Sequence, residues 1–142
     1  METLKFQDLS VDDFYCEAFI PADMGLAEIH GKTQNFEIVI DLTNFDVILK
    51  EKKREVERKV NLRDWYEKKY LETLPMEAEV FDFDIGLKPA GEVFEILKDF
   101  FTDLYIAYGC NKEIEELGYN TLLNFINYCK NYDKEMEKNL TF

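Results

Sequence analysis

With 142 residues, 46% of them hydrophobic, the chain suits a single globular domain over 1–142 and is too short for two ordinary ones. Asp and Glu number 30 against 17 Lys and Arg, a formal charge of −13. That balance excludes a conventional binder of nucleic acid or anionic membrane, since either needs an electropositive footprint, and it leaves a basic protein as the natural partner.

The charge is unevenly distributed. Residues 1–49 carry ten acids and two bases, residues 50–69 nine bases and five acids, and residues 70–142 fifteen acids and six bases. No stretch approaches the ~18 apolar residues of a membrane span, and the opening METLKFQDLS has no basic-then-apolar leader, so a cytoplasmic protein is expected. Cys16, Cys110 and Cys129 are odd in number, widely spaced and without a Cys-x-x-Cys pair. They read as reduced, buried thiols rather than a disulfide framework or zinc site, and no cofactor is implied.

Along the chain, Ser10–Pro21 is ambiguous. Val11, Phe14, Tyr15, Ala18 and Phe19 share a helical face behind a Ser10/Asp13 cap, while Phe14, Cys16, Ala18 and Ile20 would equally line a strand. Leu26–Gly31 and Asn35–Leu42 then read as a hairpin. In the second strand Phe36, Ile38, Ile40 and Leu42 alternate with Glu37, Val39 and Asp41. Asn44–Val60 is rich in Lys, Glu and Arg and is read as a helix, with a charged hairpin using Val47/Leu49 and Val56/Val60 as the alternative. As a helix it would pair Glu55 with Arg58 and Lys59 on a solvated face.

Asn61 is placed to cap a short helix carrying Leu62, Trp65, Tyr66, Tyr70 and Leu74 up to Pro75. Glu77–Gly86 alternates as a strand, with Phe81, Phe83 and Ile85 on one side. After Pro89, Val93, Ile96, Leu97, Phe100, Phe101, Leu104, Tyr105 and Tyr108 recur at helical spacing until Gly109. A short helical piece over 112–117 and a break at Gly118 precede a last helix with Leu122, Phe125, Ile126 and Cys129, fraying into the tail KEMEKNLTF. The expected fold class is α+β, a mainly antiparallel sheet with helices packed on one face in a single domain.

Chemistry-bearing motifs are sparse. His30 is the only histidine, and neither a GxGxxG nor a GxxxxGK[ST] loop occurs. Asp82 and Asp84 point to one side of their strand and are the weak alternative as a metal pair, with Mg²⁺ or Mn²⁺ the fitting ions, but they lack recognisable co-ligands, so no metal is expected. Two polar stripes are sharper. Glu92, Glu95, Asp99 and Asp103 project within one sector of the helix after Pro89, and Asn120, Asn124, Asn127 and Asn131 share a face of the last helix. Asparagine is a poor filler for an exposed helix face, so the amides invite a contact role.

Small size, high negative charge and these stripes lead to the expectation of a non-enzymatic acidic binding or inhibitor protein. Its partner would be basic, a toxin, nuclease or other nucleic-acid enzyme. That is the pattern of an immunity protein or phage anti-defence factor, with the carboxylate row as a nucleic-acid mimic. Abundant Asn, Lys, Phe, Tyr and Ile suit an AT-rich bacterial or phage genome. The alternatives are a metal-dependent enzyme or small-ligand binder using Asp82/Asp84, and a structural subunit of an assembly.

Overall fold

The computed structural model describes residues 5–10, 19–71 and 85–140. Strands β1 (Glu28–Lys32), β2 (Phe36–Asp41), β3 (Asp46–Glu51) and β4 (Val56–Asn61) form an antiparallel meander in the order β1-β2-β3-β4. Helices α1 (Leu62–Leu71), α2 (Ala90–Ala107) and α3 (Lys112–Leu140) complete the α+β architecture, with 3-10 turns at Lys5–Asp8, Pro21–Met24 and Ile85–Leu87. Of the expected strand over 77–86, residues 77–84 lie outside the described residues, as do Cys16 and residues 11–18 of the ambiguous segment, and Ile85 and Gly86 belong to a 3-10 turn rather than a strand.

Period-two alternation builds the sheet. Ile29 and Gly31, Phe36, Ile38 and Ile40, and Val47 and Leu49 face the helices and are buried. The opposite face carries Glu28, His30 and Lys32, Glu37, Val39 and Asp41, Asp46, Ile48 and Lys50, and Glu57, Lys59 and Asn61. Register places Lys32, Glu37, Lys50 and Glu57 in one row of alternating charge across all four strands.

Residues 44–60, read as a helix from their charge content, form the β3–β4 hairpin instead. Ile48 and the flanking Val47 and Leu49 favour the pleat, and the polar residues at 52 and 53 that interrupt the helical stripe lie in the turn, where Glu55 adopts φ 52°. Its ion pairs therefore differ from those of a helix: Arg54 grips Glu51 at 2.8 Å and Lys59 lies 3.3 Å from Asp46.

Asn61 does cap α1, its Oδ1 accepting the N–H of Asp64 at 3.1 Å, while its amide donates to Asp46 Oδ1 at 3.1 Å. The helix after Pro89 also forms as expected, with Val93, Phe94, Ile96, Leu97, Phe100 and Phe101 buried. It ends on Tyr108, and Gly109 (φ 71°) and Cys110 (φ 58°) turn the chain in the left-handed region. Asn111 Oδ1 then accepts the N–H of Glu113 at 2.9 Å and starts α3.

No break occurs at Gly118, and α3 runs unbroken to Leu140 without the fraying expected of the tail. A Cβ at 118 would stand 3.0 Å from Phe6 and 3.1 Å from Phe101, two fully buried rings, so this glycine serves close packing rather than termination. Lys, Glu and Met in the tail are good helix formers. The core lies between α2, α3 and the inner sheet face, and is closed at one end by Phe6 against Phe101 and crossed by Phe94 against Phe125.

Candidate partner-binding surface

The acidic row of α2 emerges along the side of the helix opposite its buried stripe, but its four members have different surroundings. Glu92 and Glu95 are exposed. Lys88 reaches Glu92 at 3.4 Å and Lys98 approaches Glu95 only to 4.0 Å, so both carboxylates keep their outer oxygens in solvent. Asp99 and Asp103 lie under α1. Tyr70 Oη donates to Asp99 at 2.8 Å, and Trp65 Nε1 and Lys69 Nζ donate to Asp103 at 3.0 and 3.1 Å. Burial, then the Asp99 carboxylate, push the Tyr70 hydroxyl up to about 12, so it stays a donor throughout the physiological range.

Lys98 of α2 is buried. Its ammonium donates to the carbonyl oxygens of Gln7 at 3.3 Å and Leu9 at 2.7 Å, and it lies over the Phe94 ring. An isolated lysine next to the core residue Leu97 was the available signal for this role. Its charge fastens the N-terminal segment instead of shielding the acidic row.

The amide row of α3 also divides. Asn120 Nδ2 donates to Lys32 O at 3.1 Å and Asn124 Nδ2 to His30 O at 2.7 Å, so these two cap outward carbonyls of the β1 edge; Asn124 is nonetheless exposed, as are Asn127 and Asn131. The acidic row borders α1 and the amide row borders β1, on opposite flanks of the α2–α3 layer. The fold does not merge them into one surface.

Elsewhere, Glu113 has a role the sequence reading missed. Its carboxylate accepts Thr33 Oγ1 at 2.6 Å, the Asn35 N–H at 2.7 Å and Asn35 Nδ2 at 2.8 Å, which ties the β1–β2 turn to the start of α3. Burial raises its pKa, but these donors together outweigh that and hold it below its ordinary value. Thr33 and Asn35 in a polar hairpin turn were the signal for such an acceptor. His30 is exposed, with Nε2 2.8 Å from Glu28 Oε2.

Cys129 is buried as expected, but Cys110 is exposed, because it occupies the left-handed turn between α2 and α3 rather than a helix face. An open cleft of about 770 Å³ is lined by Lys5, Asp8, Lys112, Glu115, Glu116 and Tyr119. Glu115 is already engaged there by the Lys5 N–H at 3.0 Å and by Lys112 at 3.5 Å.

Among the described residues no group of three or more His, Cys, Asp or Glu side chains is placed to hold a metal ion, and Asp82 and Asp84 lie outside those residues. Among the same residues, no helix is long and apolar enough to cross a membrane. No family model, curated protein or solved structure significantly matches the chain.

Proposed function

We propose that the protein is an acidic binding module that occupies and neutralises a basic protein, in the manner of an immunity protein or an inhibitor of a nucleic-acid enzyme. One observation carries this reading: Glu92 and Glu95 stand exposed about one turn apart on a helix whose opposite face is fixed in the core, in a chain of charge −13. The helix backbone that presents these carboxylates is already ordered, so binding has only their side chains to order. The surrounding negative potential steers a cationic partner and speeds encounter. Asp99 and Asp103 extend the row beneath α1, where Tyr70, Trp65 and Lys69 hold them in place. Asn127 and Asn131 stand apart, as a secondary polar patch on α3.

The experiment is affinity capture on the immobilised protein in parallel with a Glu92→Lys/Glu95→Lys variant, followed by assay of the captured protein on nucleic acid. Support is a basic protein that the parent retains and inhibits and the variant does not. Equal retention by both would remove the assignment of this face.

A further inference from the structure

The two edges of the sheet are finished differently. At the β1 edge the outward carbonyls of His30 and Lys32 receive amides from Asn124 and Asn120. At β4 the Leu62 N–H bonds Phe45 O at 2.7 Å, which sets the alternation of the β3–β4 ladder. Val60–Val47, Arg58–Leu49 and Val56–Glu51 are then the pairs that exchange bonds, and the N–H and C=O groups of Glu57 and Lys59 are directed out of the sheet. Residues 57–60 are all exposed. Val60 is 39% exposed although it belongs to the face that packs on the helices.

The strand Val56-Glu57-Arg58-Lys59-Val60 is chemically self-complementary about Arg58. We infer that β4 pairs antiparallel with β4 of a second copy across a two-fold axis at Arg58, joining two four-stranded sheets into one of eight. In this register Glu57 of each copy exchanges both backbone hydrogen bonds with Lys59 of the other, four bonds in all. The Glu57 and Lys59 side chains form two opposite-charge pairs on the outer face, and Val56 covers Val60 twice on the inner face.

Other registers fail. A slip by one residue sets inward-directed backbone groups against outward ones. A slip by two sets Glu57 against Glu57 or Lys59 against Lys59. The one like-charge meeting in the favoured register is Arg58 with its counterpart, and each guanidinium is held over the Tyr108 ring of its own chain at 5.3 Å. A single strand pair is smaller than a standard interface of about 1,600 Å², so the dimer is concentration-dependent.

Sedimentation of the full chain up to about 1 mM tests this. A monomer–dimer equilibrium is expected, weakened at least about tenfold by Glu57→Lys or Lys59→Glu alone and restored by the two together. Lys59→Pro removes an outward N–H and no β3 ladder bond, so it should stay folded by circular dichroism and be monomeric. In a Cys110→Ser background, Arg58→Cys should cross-link under mild oxidation, because residues facing each other in a non-hydrogen-bonded pair suit a disulfide. The proposal is overturned if the parent chain is monomeric throughout, as it would be if the edge serves a foreign acidic strand. Dimerisation that survives Lys59→Pro or either single charge swap would equally overturn it.

Discussion

Asn124 donates its side-chain amide to the main-chain carbonyl of His30 at 2.7 Å, and this bond, repeated one turn away by Asn120 on Lys32, fastens α3 to the β1 edge. Asn124→Ala should therefore cost stability, by about 0.5–1.5 kcal/mol for one hydrogen bond lost with its carbonyl turned back to water. Asn124→Asp should cost more, since a carboxylate oxygen would then face the carbonyl. Thermal unfolding checks this, with Asn127→Ala, at an exposed position of α3, as the control for the helix propensity that alanine gains over asparagine; Asn124→Ala should melt below that control.

Gly31 lies directly under Thr121. A Cβ at 31 would stand 2.9 Å from the Thr121 Cβ and 3.1 Å from its Cα, and Thr121 is fully buried. Gly31→Ala should destabilise by about 1–3 kcal/mol, the usual range for overpacking. Thr121→Ala should relieve only part of that, because the helix backbone remains in the way. A double-mutant cycle by denaturant unfolding measures the coupling.

The Glu113 carboxylate is held below its ordinary value in the folded state, so its contribution to stability is present above about pH 4.5 and is lost as the pH falls through the depressed folded value. Glu113→Ala should lower the melting temperature at pH 7 and lower it less at pH 3, below the ordinary carboxylate value. An equal effect at both would contradict the assignment of the charged acceptor to Thr33 and Asn35.

Asp103 joins α1 to α2 by accepting from both Trp65 and Lys69. Asp103→Ala should cost about 1–2 kcal/mol, tempered by the partial exposure of the pair, and should change the emission of Trp65, the single tryptophan. Unchanged fluorescence would show that the Asp103 contact does not set the environment of the Trp65 indole, which then rests on its ring contact with Phe100.

Where local pattern and tertiary environment agree, the fold was legible: alternation in Asn35–Leu42, the Asn61 cap and the apolar stripe after Pro89 all form the elements they imply. The hairpin over 46–61 was not, because Lys, Glu and Arg raise helix propensity while the decision rests on pairing with β2. Gly118 misled for a related reason, since two rings brought in from Phe6 and Phe101 make the glycine a packing residue. The acidic and amide stripes were visible as periodicities. Which of their members stay open depends on where α1 and β1 lie, and no spacing within a single helix encodes that.

The most direct test of the account is the salt-dependent association of the captured basic partner with the parent protein and with the Glu92→Lys/Glu95→Lys variant. Both positions are exposed, so the variant should stay folded, at a cost of about 1–2 kcal/mol for setting lysines beside Lys88 and Lys98 and in the first turn of α2. The parent should associate rapidly at low salt and more slowly at physiological ionic strength, where the Debye length is about 8 Å, and the variant should have lost most of this steering and affinity. A folded variant that binds like the parent at both salt concentrations would contradict it.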